Sequence, residues 1–322
     1  MSTRRYILIS PCRNEAAYIQ TTIDAIAKQS VLPAKWIIVD DGSTDETPKI
    51  IAAAASQYPF IEIIRRDNRG ERSVGPGVIE AFYAGYSTID PSDYDYVCKL
   101  DVDLDIPATY FEQLMQRMET NPRLGTCSGK PYFLGKDGKL VSERCGDETS
   151  VGMIKFYRTA CFEQIGGFVR QVMWDGIDCH RCRMKGWIAC SWDDPDLRFT
   201  HLRPMGSSHK SISTGRLRHG SGQYFMGTGP LYMLASAVYR MMAPPLVVGG
   251  VMMLAGYLKS MLTRQTRYDD LEFRQFLRRY QWQCLIKGKR QATADLNEHQ
   301  AKNWSLQGYR LGTLSSECCQ KL

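Results

Sequence analysis

The sequence predicts an α/β fold in which a mostly parallel central sheet with flanking helices is followed by a C-terminal helical region. Strand-like and helix-like segments alternate over the first 135 residues. Polar clusters follow the strand-like segments, at the positions where ligands bind in sheets of this kind. Two uncharged stretches lie beyond residue 220. No Gly-x-Gly-x-x-Gly follows the first strand, so a dinucleotide site is not expected.

Apolar, β-branched runs predict four strands, and apolar residues at helical spacing predict four helices. The expected strands cover 5–10, 35–40, 60–65 and 94–100, and the expected helices cover 15–29, 44–58, 74–88 and 107–119. Ser43 or Thr44 is the expected N-cap of the second helix. A later helix is expected from Asp178 to Lys185. The βαβ order places helices on both faces of the sheet.

Composition limits the class of protein. The chain has 322 residues, of which 43% are hydrophobic and 23% charged, so it is globular rather than wholly disordered or coiled-coil. A formal net charge of +7 is too mild to indicate a nucleic-acid partner. The 11 cysteines are odd in number and form no disulfide framework. We therefore expect reduced thiols in a cytosolic protein.

Three parts are expected: an α/β domain over residues 1–220, an apolar helical hairpin over 221–260 and a basic helical tail over 261–322. Met241 to Leu258 is a run of 18 uncharged residues, which is marginal for crossing about 30 Å of hydrocarbon. Pro244-Pro245 interrupts this run. We expect the hairpin to lie in the interface of an anionic membrane, on its cytoplasmic face. The alternative is a buried hairpin of a soluble protein.

Asp101-Val102-Asp103 follows the fourth predicted strand. Two carboxylates at this spacing can share a divalent cation, or one can bind the cation and the other a ribose hydroxyl. Oxygen ligands favour Mg²⁺ or Mn²⁺, whose coordination is often completed by substrate phosphates. The alternative is a solvated acidic loop. A second acidic cluster, from Asp40 to Asp45, follows the second strand and can accept hydrogen bonds from a base or a ribose.

Three segments in this order carry a family resemblance: Pro11-x-Arg13-Asn14-Glu15, Val39-Asp40-Asp41-Gly42-Ser43-Thr44-Asp45 and Asp101-x-Asp103. Together they resemble the inverting family 2 glycosyltransferases, whose Rossmann-like fold is called GT-A, and in particular the membrane-associated type that assembles polysaccharides. The resemblance covers about residues 4 to 200. It implies a nucleotide-sugar donor, with UDP-sugars favoured, and a divalent metal, Mg²⁺ or Mn²⁺.

The resemblance also implies roles for individual residues. Donor contacts are implied for a set that mostly follows the predicted strands: Pro11, Arg13, Asn14, Glu15, Asp40, Asp41, Arg72, Asp101 and Arg203. The implied metal ligands are Asp101, Asp103 and His201. A neutral imidazole can complete a metal shell, and an arginine can bind a diphosphate through two hydrogen bonds. For His201 the alternative is a packing or hydrogen-bonding role.

The turn Gly166-Gly167-Phe168 resembles the one that precedes the catalytic carboxylate in this family. We expect Asp178 to be the general base that removes the proton of the acceptor hydroxyl. Asp175 is the rival candidate. The alternatives without a catalytic role are a helix N-cap for Asp178 and a turn residue for Asp175.

The expected function is therefore transfer of a sugar, with inversion, from a nucleotide-sugar to a saccharide acceptor that is lipid-linked. One alternative is a polyprenyl-phosphate glycosyltransferase, which needs no general base because its acceptor is already an anion. Another is a non-catalytic scaffold that binds a nucleotide at a membrane. A nucleotidyltransferase is a further alternative, but it would be expected to carry a Gly-rich basic loop after the first strand.

Overall fold

The fold is built on a mixed seven-stranded sheet with helices on both faces. A computed structural model describes residues 4–68, 70, 75–135, 137–203, 212–242, 246–302 and 304. The strands are β1 (Tyr6–Cys12), β2 (Lys35–Asp40), β3 (Ile61–Arg65), β4 (Tyr96–Leu100), β5 (Leu104–Asp105), β6 (Leu124–Ser128), β7 (Pro131–Leu134), β8 (Leu140–Ser142), β9 (Ile154–Arg158), β10 (Ile188–Ser191) and β11 (Phe199–His201).

The helices flank this sheet in the first two thirds of the chain and form a separate layer after it. They are α1 (Ile19–Ala27), α2 (Thr47–Gln57), α3 (Pro76–Tyr86), α4 (Tyr110–Thr120), α5 (Thr159–Gln164), α6 (Trp174–Met184), α7 (Ile212–Met226), α8 (Pro230–Met241), α9 (Val248–Leu262), α10 (Leu271–Lys287) and α11 (Lys289–Ala301). The four strands and four helices expected in the first 120 residues are all present, and most of their ends shift by one to four residues.

The main sheet has the strand order β10–β6–β9–β4–β1–β2–β3. β4, β1, β2 and β3 run parallel to one another, whereas β9 runs antiparallel to both β4 and β6. The sheet is thus mixed rather than simply parallel. A second sheet has the order β5–β11–β7–β8, and its strand β5 begins immediately after Asp101-Val102-Asp103. Its pairing of β5 with β11 brings the end of β11 beside the aspartates.

Two expected helix starts are wrong. Neither Ser43 nor Thr44 caps α2, which begins at Thr47. Asp45 instead accepts a hydrogen bond from the Thr47 amide through Oδ1, at 3.0 Å. The helix expected from Asp178 begins four residues earlier, at Trp174. Asp178 therefore lies one turn inside α6 and is not its N-cap.

Two apolar layers cover the main sheet. One packs α1, α2 and α4 against it, with Ile23 and Leu114 fully buried or nearly so. The other packs α3, α5 and α6 against the opposite face, around a cluster of aromatic rings that includes Phe82 and Phe162. Helix α10 then covers α6, where Leu277 packs against Ile177. The position of α6 is thus determined from two sides.

Helices α7, α8 and α9 pack at backbone distance because glycines lie where they meet. A Cβ at Gly256 would overlap the carbonyl oxygen of Leu217, and a Cβ at Gly220 would overlap that of Met253. Gly250 is packed in the same way on the carbonyl of Ala237. None of the helices in the described ranges is long and apolar enough to cross a membrane.

We predict that Gly256→Ala destabilises the protein, because the new methyl group must push α7 and α9 apart. The free energy of unfolding should fall by about 1–3 kcal/mol, the usual range for overpacking, as measured by urea unfolding. Gly249→Ala, in the same helix, is the control, since its Cβ would lie 3.5 Å from the nearest atom, Arg240 Cζ. Equal stability of the two variants would contradict this account of the packing.

Candidate active site

The loop after β1 is joined to the loop after β2 by Asn14. Asn14 has a left-handed backbone, with φ of 53°, which asparagine tolerates better than most residues. Its backbone amide donates to Ser43 Oγ at 3.0 Å, and its side-chain Oδ1 accepts from the backbone amide of Thr44 at 2.8 Å. The turn directs Glu15 inward, where only 4% of its side chain is exposed.

The two aspartates after β2 have different environments. Asp40 Oδ1 accepts from the Ser43 amide at 2.8 Å, so this carboxylate shapes its own loop. Asp41 Oδ1 forms an ion pair with Arg66 Nη1 at 2.8 Å. Arg13 donates to the Asp41 carbonyl oxygen, at 2.5 Å. Pro11 lies in β1 opposite Val39. Arg72 lies outside the described residues.

Arg203 connects the loop after β1 with the aspartates after β4. Its Nη2 lies 2.8 Å from Glu15 Oε1, and its Nε lies 2.7 Å from Asp103 Oδ2. Both carboxylates are almost completely buried, and the arginine is about one-fifth exposed. Residues that are far apart in the sequence therefore converge on one guanidinium.

His201 reaches the same aspartate from β11. The β5–β11 pairing sets His201 opposite Leu104, and the Leu202 amide donates to the Asp103 carbonyl. His201 Nε2 lies 3.5 Å from Asp103 Oδ2, and its Nδ1 lies 3.2 Å from the Glu143 carboxylate. Sequence reasoning missed Glu143, which follows a short strand and belongs to no recognisable motif.

The charges of this cluster shift its pKa values. Burial alone would lower the pKa of His201, but hydrogen bonds to Asp103 and Glu143 raise it to about 9. Burial would raise the pKa of Asp103, but the hydrogen bond and charge of His201 and the charge of Arg203 lower it. Burial raises the pKa of Asp101, where Lys99 opposes the shift and Asp103 adds to it. His201 is therefore cationic at neutral pH in this arrangement.

The side chains fit a divalent cation in part. Among the described residues, no three His, Cys, Asp or Glu side chains converge as a ready-made metal site. However, Asp103 Oδ1 is buried and has no hydrogen-bond partner within that part of the chain. Asp101 and His201 flank Asp103, and Asp101 Oδ1 is bound to Lys99 Nζ at 2.5 Å. Such a set suits Mg²⁺ or Mn²⁺ only if phosphate oxygens and water complete the coordination.

Asp178 lies in the interior of the protein. Its Oδ2 is bound to Lys155 Nζ at 2.5 Å and accepts the hydroxyl hydrogen of Tyr157, and its Oδ1 accepts from the Cys179 amide at 2.6 Å. Its side chain is completely inaccessible to solvent. Burial raises its pKa, against the effect of Lys155. An acceptor hydroxyl cannot reach Asp178 in this arrangement without displacing these partners.

Asp175, in the first turn of α6, is exposed. A Cβ at Gly152 would lie 2.9 Å from Asp175 Oδ2, so the carboxylate lies against that glycine. The carbonyl of Gly152 accepts from Lys99 Nζ, which also binds Asp101. Three successive contacts, through Gly152 and Lys99, therefore link the exposed Asp175 to Asp101.

The geometry gathers most of the residues that the sequence analysis selected. Glu15, Asp103, His201 and Arg203 are in direct contact, and Asp101 adjoins them. Asp40 and Asp41 lie at the ends of the neighbouring strands and are occupied by local partners. Lys99 and Lys155 escaped the sequence analysis because a lysine within a strand ordinarily reads as a solvent-facing residue.

Comparisons with known proteins agree with this geometry. Residues 7–174 match the family described as Glycosyl transferase family 2. A poly-beta-1,6-N-acetyl-D-glucosamine synthase of Staphylococcus aureus is 28% identical over 152 residues, which are 46% of this chain and 34% of that protein. The chain thus matches about a third of the length of this relative.

One solved structure with a TM-score above 0.5 shows a similar fold, and a second is a weaker match. A complex of GalNAc-T7 with UDP, GalNAc and Mn²⁺ aligns over 89% of this chain and 58% of that one, with a TM-score of 0.55 and 11% identity. A mannosyltransferase of Pyrobaculum calidifontis in complex with GDP-Man and Mn²⁺ aligns over 92% and 86%, with a TM-score of 0.49 and 18% identity. With the family match spanning just over half of the chain, this protein belongs to glycosyl transferase family 2 and has a GT-A-like fold.

Proposed function

We propose that this protein transfers a sugar, with inversion at the anomeric carbon, from a nucleotide-sugar donor to a hydroxyl of a lipid-linked saccharide. The observation that carries this proposal is the contact of Arg203 with both Glu15 and Asp103, beside His201. Carboxylates and cations from three separate loops meet there, at the end of the sheet where α/β proteins bind ligands. The synthase relative is named for a polymer of N-acetyl-D-glucosamine, and a UDP-sugar stays our expected donor.

The cluster has the chemistry to bind a nucleoside diphosphate. Glu15, Asp40 and Asp41 can accept hydrogen bonds from the nucleoside. Asp101, Asp103 and, once it has given up its proton, His201 would hold Mg²⁺ or Mn²⁺, which, when bound, supplies positive charge where the leaving diphosphate becomes more negative. Arg203 can leave its carboxylates and bind the diphosphate through two parallel hydrogen bonds. Arg203 and the metal would then both place positive charge beside the leaving diphosphate.

We further propose Asp175, and not Asp178, as the general base. The acceptor oxygen attacks the anomeric carbon and forms the new carbon–oxygen bond. The bond from that carbon to the diphosphate breaks, and the nucleoside diphosphate leaves with the bonding electrons. The hydroxyl proton passes to the carboxylate of Asp175, whose exposure lets an acceptor approach.

The test is a donor screen. The full chain is incubated with Mn²⁺ and a panel of UDP-, GDP- and dTDP-sugars, with membrane lipid extract as the source of acceptor. Released nucleoside diphosphate and sugar incorporated into lipid are both measured. Incorporation from one donor supports the proposal. A chain that binds a nucleotide but neither hydrolyses nor transfers any donor would instead be a nucleotide-binding scaffold.

Asp175→Asn should lower the rate of sugar transfer by about 10²–10⁴-fold, because the amide cannot take the proton of the acceptor hydroxyl. Donor affinity, measured by calorimetry with Mn²⁺, should stay within about twofold of the wild-type value. Asp194→Asn is the control, since Asp194 forms a half-exposed ion pair with Arg117. Wild-type transfer by Asp175→Asn would contradict the assignment and favour a phosphate acceptor, which needs no base.

We also propose that α8 and α9 rest on the cytoplasmic face of an anionic membrane. The outward stripe of α8 is apolar and exposed, with Leu231, Leu234 and Val238 at helical spacing. On α9, Val251 and Leu258 continue the same kind of stripe. The flanking cations are Arg240, Lys259, Arg264 and Arg267. An apolar helical surface flanked by cations is typical of binding to the headgroup region.

The double variant Val238→Glu with Val251→Glu should bind vesicles about 100-fold more weakly, since burial of each valine contributes about 1.5 kcal/mol and about 1.4 kcal/mol is a factor of ten. Binding is measured by co-flotation with vesicles of phosphatidylglycerol and phosphatidylcholine. Leu32→Glu, which alters an exposed leucine outside the C-terminal helices, is the control. If wild-type and double variant float equally, or if neither binds, the membrane proposal fails.

A further inference from the structure

Two buried lysines lie side by side beneath the candidate site. The antiparallel register of β4 and β9 sets Lys99 directly opposite Lys155. Their side chains are 2% and 0% exposed. Like charges directly opposite each other destabilise a pair of strands. Each buried lysine therefore needs a carboxylate that compensates its charge. Those carboxylates are Asp101 and Asp178.

Lys99 binds Asp101 and the backbone of Gly152. Its Nζ lies 2.5 Å from Asp101 Oδ1 and donates to the Gly152 carbonyl at 2.9 Å. The Asp175 carboxylate lies against this same glycine. Lys99 thus holds Asp101 and also the peptide on which the carboxylate of Asp175 rests.

Lys155 binds the backbone of the proposed base. Its Nζ donates to the Asp175 carbonyl oxygen at 2.7 Å and pairs with Asp178 Oδ2 at 2.5 Å. Tyr157 donates to the same carboxylate oxygen. Asp178 is therefore the counter-ion of the lysine that holds Asp175.

Trp174 lies over both ammonium groups. The centroid of its ring is 5.2 Å from Lys99 Nζ and 5.7 Å from Lys155 Nζ, within the range of cation–π attraction. Helix α6 begins at this residue without a side-chain N-cap, after Met173 in a left-handed conformation with φ of 71°. A conformation so uncommon for methionine persists only where the surrounding contacts hold it.

We propose that Lys99, Lys155 and Trp174 form a platform that fixes Asp175 relative to Asp101, with Asp178 as a positioning residue that neutralises Lys155. This inference rests on the proposed function, in which Asp175 is the base. A displacement of about 1 Å between reacting groups can lower a rate about 10²-fold. Loss of the platform should therefore lower kcat and leave donor binding intact.

The experiment compares the wild-type chain with the double variant Lys155→Met with Asp178→Leu. This change replaces the buried ion pair by apolar side chains of similar size, which proteins often tolerate without loss of stability. We expect kcat for transfer to fall about 10–100-fold, while KM for the donor stays within about twofold. Deuterium exchange at the Gly176 and Ile177 amides, which bond to the Met173 carbonyl, should become faster.

Trp174→Leu and Trp174→Phe test the same platform without altering the ion pair. Trp174→Leu should lower kcat in the same way, and Trp174→Phe, which retains an aromatic face, should recover much of the loss. Lys130→Met is the matched control: Lys130 is also buried and binds the Cys145 carbonyl, Ser191 Oγ and Asp147 Oδ1, none of which belongs to α6. It should lower the melting temperature without lowering kcat.

Three outcomes would overturn the platform. If the amides of Gly176 and Ile177 exchange deuterium at the wild-type rate in the double variant, the platform proposal fails, and this result does not depend on finding a donor. Wild-type kcat in the double variant and in Trp174→Leu, with Asp175→Asn inactive, would overturn the platform and leave the base standing. Full activity of Asp175→Asn would show that Asp175 is not the base, and the platform proposal would then fail as well.

Discussion

The candidate site depends on the ion pairs of Arg203 with Glu15 and Asp103. These pairs join the loop after β1, the loop after β4 and the segment after β11. Buried carboxylates so close together would repel one another without a cation, because charges interact strongly where water is excluded. The guanidinium and the cationic imidazole of His201 compensate this charge. A nucleoside diphosphate with its metal would also bring negative and positive charge into the site, with the phosphates beside Arg203 and the metal beside the carboxylates.

The same principle governs the interior beneath the site. Lys99 and Lys155 would destabilise the β4–β9 pair if they were alone, and each is neutralised by a carboxylate that belongs to the site or to α6. The ion pairs thus connect the central sheet to the helix that carries the proposed base. Packing of α10 on the other side of α6 limits its movement further. Fold and site are coupled here through charge compensation as well as apolar burial.

The sequence predicted the strands and the polar clusters at their ends, because apolar β-branched runs and acidic loops are local patterns. It did not predict that β9 would insert antiparallel between β4 and β6, since strand order depends on pairing between distant segments. The helix expected to begin at Asp178 begins four residues earlier, at Trp174, so Asp178 lies inside it. Lys155 and Glu143 could not be predicted, because their roles depend on partners at least 20 residues away in the sequence.

The central claim is that Asp103 and a divalent metal bind the diphosphate of a nucleotide-sugar donor. Calorimetry with UDP and GDP tests it most directly, in Mn²⁺ and in EDTA, on the wild-type chain, on Asp103→Asn and on the exposed control Asp105→Asn. We predict that one nucleotide binds in Mn²⁺, and that EDTA or Asp103→Asn weakens binding at least about tenfold, whereas Asp105→Asn does not. Equal affinity under all these conditions, or no binding of either nucleotide, would contradict the account.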